Sequence, residues 1–219
     1  MITSFSLFIG SIYVPQFLER FSKYHKSYES VQEEKKEQVE EVILKFKNNV
    51  LEYGNEWDLG CEILDIDCTS IIGTLFKSEY ALAVNESIEE AVSFFQQALL
   101  LRSYKNSTTV EEELSIQAYS AWLLNGDLKK AGEVFFDLAS IPPYDLFALK
   151  RAQLMFFLIG EMERMLKITL QLKDKMEGRP YYHAMLSFAY EQVGVMDEAL
   201  TQVMLILFIM IFWWYFFRD

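Results

Sequence analysis

Cysteine, histidine and basic charge are all scarce in this chain, and each shortage closes a class of function. Its two cysteines, Cys61 and Cys68, lack the CxxC spacing of redox and zinc sites, so neither a disulfide framework nor a structural metal is implied. They read as small hydrophobes on helix faces, with a reducing compartment as the default. Two histidines, His25 and His183, do not make a histidine-rich metal site, and packing or a local hydrogen bond is the expected use of His183. Against 32 acidic residues stand 20 basic ones, a net charge of -12, and no basic stripe interrupts the excess. Such a surface repels phosphate backbones, which removes nucleic acid as a partner. Also missing are the phosphate-cradling GxxxxGK[ST], the dinucleotide GxGxxG, the zinc-binding HExxH and the hydrolase GxSxG. No cofactor, metal or catalytic residue is expected.

What the chain does have is a core and a period. With 219 residues and 52% hydrophobic content it has the length for one large domain or a short solenoid. Gly126, Gly160 and Gly194 recur at one constant interval, with Trp122, Phe156 and Tyr190 at the fourth position before them and Ala131, Met165 and Ala199 at the fifth after. That interval, about 34 residues, is the period of a tetratricopeptide repeat, in which two antiparallel helices meet at a tight turn and bury their apolar faces only by stacking on neighbours. The glycines supply the turn between helix A and helix B. A small residue such as Ala131 or Ala199 lets the two helices approach closely, so Met165 predicts a looser hairpin. Pro143 follows Gly126 by half a period, where helix B of such a repeat ends.

The fold class is therefore all-α, a TPR-like α-solenoid of antiparallel hairpins preceded by an amphipathic helix. Residues 1–60 form an amino-terminal apolar segment and that helix, 61–200 the repeats, and 201–219 an apolar tail. Within the repeats, about 61–110 is degenerate, with 112–145, 146–179 and 180–200 following. The step from Ala91 to Ala131 exceeds one period, and the polar stretch Tyr104 to Thr109 holds the excess.

Met1 to Leu18 is apolar, but no basic residue precedes it and Pro15 interrupts it, a poor fit to a secretory signal. Ser30 and Glu33 have capping-box spacing. Val39, Val42, Ile43, Phe46 and Val50 then fall on one helical stripe, opposite Glu33, Glu34, Lys35, Lys36, Glu37, Glu40 and Glu41. The charged side reads as a solvated face.

At the other end, every residue from Val203 to Phe217 is apolar or aromatic. A terminal helix of an array needs a polar outer face, and this one has none. Fifteen helical residues span roughly 22 Å, and starting at Ala199 extends that to about 28 Å, against a hydrocarbon core of roughly 30 Å. Trp213, Trp214 and Tyr215 suit an interfacial belt, with Arg218 and Asp219 beyond. Three readings stay open: a membrane anchor over 199–219 on a cytoplasmic protein, a truncated or alternative end that replaces further repeats, and a buried helix.

Several blocks resemble the tetratricopeptide repeat protein 38 family: "SIEEAVSFFQQAL" at Ser87 to Leu99, "NGDLKKAGEVFFDLA" at Asn125 to Ala139, "PPYDLFALKRAQLMFFLIGEMERML" at Pro142 to Leu166 and "SFAYEQVGVMDEA" at Ser187 to Ala199. The resemblance covers about two thirds of the chain, and family members are longer, with more hairpins beyond this point. It implies an all-helical repeat fold and a protein-binding role, with no enzymatic activity or cofactor to carry over.

Two motifs compete with this reading. Asp65, Ile66, Asp67, Cys68 and Thr69 spell the DxDxT of aspartate-nucleophile phosphatases, chemistry that requires a parallel strand end where a helical neighbourhood is expected. Asn85 with Ser87, and Asn106 with Thr108, are glycosylation sequons that matter only in a secretory lumen.

Helix A side chains of stacked hairpins line a concave surface that accepts a partner segment. By register those positions include Ile116, Ser120, Leu123, Phe147, Lys150, Leu154, Phe157, Tyr181, Ala184, Phe188 and Glu191. Most are apolar, and Lys150 with Arg151 is too little cation for a receptor of terminal carboxylates. The amino-terminal helix, through Val39, Val42, Ile43 and Phe46, is an equal candidate to fill that groove as an internal cap. A non-enzymatic scaffold binding a protein or peptide in the concave face is the expected function. Its alternatives are an enzyme whose site is completed by downstream repeats, a membrane-anchored adaptor, and a small-molecule carrier.

Overall fold

The computed structural model describes residues 33–51 and 59–216, with 180 and 209–216 described by backbone alone. The readings at Met1–Leu18, Pro15, His25 and Ser30, and those on the side chains of Trp213, Trp214, Tyr215, Arg218 and Asp219, lie outside the described residues.

The described residues form helices joined by short turns, with no strand among them. Helix α1 covers 33–51. It is followed by α2 (Leu59–Ile66), α3 (Ile71–Ala83), α4 (Ile88–Tyr104) and α5 (Val110–Tyr119), which continues into a π turn at Ser120–Leu124. Then come α6 (Leu128–Ala139), α7 (Leu146–Leu158), α8 (Met162–Gln171), the short α9 (Lys173–Met176), α10 (Pro180–Gln192) and α11 (Met196–Phe216). Helix starts are written locally in the sequence. Ser70, Ser87, Thr109, Asp127 and Asp145 each accept a hydrogen bond from a first-turn amide, and Thr109 with Glu112 completes a reciprocal box. Each such cap contributes about 1 kcal/mol.

The equally spaced glycines close the same turn three times. Gly126, Gly160 and Gly194 have φ of 64°, 76° and 80°, the left-handed region where a Cβ is penalised. The residue after Gly160 donates its amide to Phe156 O at 2.9 Å, and the residue after Gly194 donates to Tyr190 O at 3.0 Å. After Gly126 the acceptor moves back one residue, to Ala121 O at 2.8 Å, because the π turn inserts an extra residue there. The following helix opens identically in all three, with the amides of Ala131, Met165 and Ala199 donating to Asp127 O, Glu161 O and Val195 O.

Sequential helices pack on one another: α5 on α6, α6 on α7, α7 on α8 and α10 on α11, with α8 also against α10. Ala131, Met165 and Ala199 are all buried. Helices α7 and α8 share a smaller contact than α10 and α11 do. One hydrophobic cluster runs from Val39 in α1 through Phe95, Phe135 and Phe156 to Ala189 in α10. Polar ties cross it: Gln153 Nε2 donates to Thr169 Oγ1 at 2.6 Å and Met185 O at 3.1 Å, joining α7 to α8 and α10. Tyr182 Oη donates to Thr169 O at 2.8 Å.

Among the described residues no helix is long and apolar enough to cross a membrane, so the membrane reading of 199–219 gains no support from them. Helix α11 does leave Leu200, Met204, Leu207 and Phe208 exposed.

Candidate partner-binding site

The helix A positions do not share one fate. Lys150, Leu154 and Phe157 from α7 meet Tyr181, Ala184 and Phe188 from α10 around a cavity of about 320 Å³, completed by Leu51, Arg151, Gln153 and Met185. The Phe157 and Phe188 rings are 5.4 Å apart. Ser120 and Leu123 are half-buried at the π turn, outside this cavity, and Glu191 is exposed beyond it. Ile116 and Phe147, expected to face the groove, are buried at 4% exposure each and not open to a partner. For Ile116 the reason is enclosure, since α5 packs against α3, α4 and α6. For Phe147 it is α1.

Helix α1 lies across the A helices. Phe46, fully buried, stacks on Phe76 of α3 at 3.9 Å and meets the edge of Phe147 at 6.1 Å. Lys47 Nζ donates to Glu111 Oε1 of α5 at 2.7 Å and to Asp145 Oδ2, the α7 cap, at 2.6 Å. Burial by itself lowers Lys47, but the charges of Asp145 and Glu111 and their hydrogen bonds outweigh it and hold the ammonium above its ordinary value. Lys150 Nζ donates to Val50 O at 2.7 Å. The helix therefore covers the part of the groove nearest α3, α5 and the start of α7, and Leu51, its last described residue, borders the cavity. The stretch of this face that α1 covers adjoins the cavity. A second, larger cavity of about 570 Å³ lies on the other side of α1, lined by Leu44, Lys47, Leu51, the 141–146 loop, Arg179 and Tyr181. Leu51 and Tyr181 border both cavities.

Beneath the groove is a charged network that composition and motif reading missed. Arg151 Nε donates to Glu79 Oε1 at 2.9 Å and its Nη2 donates to Glu79 Oε2, while Tyr119 Oη donates to Glu79 Oε1. All three residues are buried, and the Arg151 guanidinium lies 5.0 Å over the Phe147 ring. Burial, reinforced by the Glu79 charge, pushes the Tyr119 phenol well above its ordinary range, so it stays a donor. Glu79 follows Leu75 by four residues and Phe76 by three, on the apolar stripe of α3. A lone acid at a core register was the available signal. Beside Arg151, Lys150 is lowered to about 8, by burial first and the neighbouring guanidinium second.

The other candidates are placed simply. His183 Nδ1 lies 2.8 Å from Gln202 Oε1 of α11. Asp67 accepts from the amide and hydroxyl of Thr69 in the turn between α2 and α3, so the DxDxT segment links two helices, with no strand beside it among the described residues. Asn85 Nδ2 donates to Glu90 Oε2 at 2.8 Å. Among the described residues no group of three or more His, Cys, Asp or Glu side chains is placed to hold a metal. Comparison with family models, curated proteins and solved structures finds no match to this chain.

Proposed function

We propose that the chain is a non-enzymatic scaffold of tetratricopeptide type, related to the tetratricopeptide repeat protein 38 family, that binds another protein through the helix A side of its hairpins. One observation carries this reading: Lys150, Leu154 and Phe157 on α7 and Tyr181, Ala184 and Phe188 on α10 open onto one apolar cavity. Helices α7 and α10 start one period apart, at Leu146 and Pro180, so equivalent positions of consecutive units form its two walls. Paired aromatics such as Phe157 and Phe188 are the anchoring type at protein interfaces, and a cavity of this size accepts one or two large apolar side chains of an inserted segment. The test is a photo-crosslinking residue at Leu154 in the full chain, with the same residue at exposed Lys167 as control. A protein captured at Leu154 and lost when Phe157 and Phe188 are both changed to Ala supports the reading. Equal capture at both positions refutes it.

The exposed Leu200, Met204, Leu207 and Phe208 of α11 favour a second reading, an adaptor held at a membrane through this helix. Resistance of the bound protein to carbonate extraction tests it.

A further inference from the structure

Helix α1 touches three successive A helices through consecutive residues of one stripe. Phe46 reaches Phe76 of α3, Lys47 reaches Glu111 of α5 and Asp145 at the head of α7, and the Val50 carbonyl accepts from Lys150 of α7. The rest of its inner face is Val39, Val42 and Leu51, all buried, while its outer face carries exposed charge. Glu111 and Asp145 are one period apart, and both place an oxygen within 2.7 Å of one ammonium. Remove that cation and two carboxylates repel across the groove, in a chain already at -12. The face is thus complementary to a cation at one point and to apolar side chains on either side of it. Asn49 Nδ2 of α1 is buried without a hydrogen-bond partner among the described residues, and such a donor costs stability until it reaches water.

We infer that this face takes an amphipathic helix carrying a cation directly after a buried aromatic, and that α1 is its occupant in cis, displaced when a partner helix of that pattern binds. The inference rests on the protein-binding reading and extends it from the cavity to the adjoining face that α1 covers. A partner helix gains access only by competing with α1, so the free protein is held in a self-occupied state.

The test uses the full chain and a fluorescent peptide of residues 33–51, with a second peptide carrying Lys47→Glu. In the chain, Lys47→Glu sets a carboxylate against Glu111 and Asp145 and loosens α1. The wild-type peptide is expected to bind the K47E chain at least about tenfold more tightly than it binds the wild-type chain, and at least about tenfold more tightly than the Lys47→Glu peptide does. Equal binding of the two peptides overturns the inference, as does failure of a cooperatively folded K47E chain to bind either. Should K47E not fold, native-state hydrogen exchange on the wild type decides. Amides of α1 exchanging at least about tenfold faster than those of α7 indicate release of the helix as a unit, whereas exchange of both only by global unfolding overturns it. A dimer that exchanges α1 between copies, seen by light scattering, also overturns occupancy in cis. A protein still captured at Leu154 when both peptides fail removes this inference and leaves the protein-binding reading standing.

Discussion

Changing Arg151 to Met strands the Glu79 carboxylate in a core where it is 3% exposed, with Tyr119 as its remaining donor. Breaking a buried ion pair from one side costs roughly 3–5 kcal/mol. The Tyr119 hydrogen bond, retained on a charged acceptor, keeps the expected loss near the low end, about 3 kcal/mol. With a urea slope of about 2 kcal/mol per molar, that lowers the unfolding midpoint by about 1.5 M. The decisive comparison is a triple variant, Glu79→Leu, Arg151→Met and Tyr119→Phe, which removes every member of the network together. Desolvation then no longer has to be offset, and stability returns to within about 1 kcal/mol of wild type or exceeds it. Both are read from urea unfolding followed by tryptophan fluorescence, with the slope checked for constancy. An R151M variant losing less than about 1 kcal/mol, or a triple variant no better than the single, refutes a dry, mutually satisfied triad.

Lys150 is expected to titrate near pH 8 by NMR of its labelled side chain, and a midpoint in the ordinary lysine range contradicts the burial assigned to it. Because its folded-state value lies below the unfolded one, the unfolded chain binds more protons between about pH 8 and about pH 10.5, so this group makes the protein more stable as pH rises through that window. Gly160→Ala meets no atom within 4 Å of the new Cβ, so its cost is the left-handed backbone alone, about 1–2 kcal/mol by chemical denaturation. A neutral result there contradicts the turn geometry. Met165→Ala empties a fully buried site and is expected to cost about 2–5 kcal/mol. Stabilisation instead shows that the α7–α8 hairpin closes when given a small residue.

The hairpin turns were legible because their signal is local: a glycine, an aromatic four before it and a buried residue five after it all act within one turn. Lys150, Leu154, Tyr181, Ala184 and Phe188 come together around one cavity because a period carries side-chain register from one copy to the next. The position of α1 was not. A stripe of Val39, Val42, Phe46 and Val50 states that a helix has an apolar partner, and nothing in that stripe selects the A helices over another face. Lys47 and its carboxylates are 64 and 98 residues apart, and Arg151 is 72 from Glu79, so pairing depends on the completed stack. Register alone treats every copy as equally exposed, whereas α1 and the α3–α5 packing bury Phe147 and Ile116. The π turn at Ser120–Leu124 was also hidden, because Trp122 keeps its place relative to Gly126 and the extra residue is absorbed in the backbone.

A carbodiimide, which joins a lysine to a carboxylate already in contact, tests the central arrangement directly on the native full chain. Mass spectrometry of the digested monomer is expected to find Lys47 linked to Asp145 and Glu111, and Lys129 of α6 linked to Glu161 at the head of α8. Those links mean that α1 lies on the A helices and that neighbouring hairpins touch. Recovery of Lys47 only in links to carboxylates of its own helix, with Lys129 unlinked to Glu161, contradicts the account.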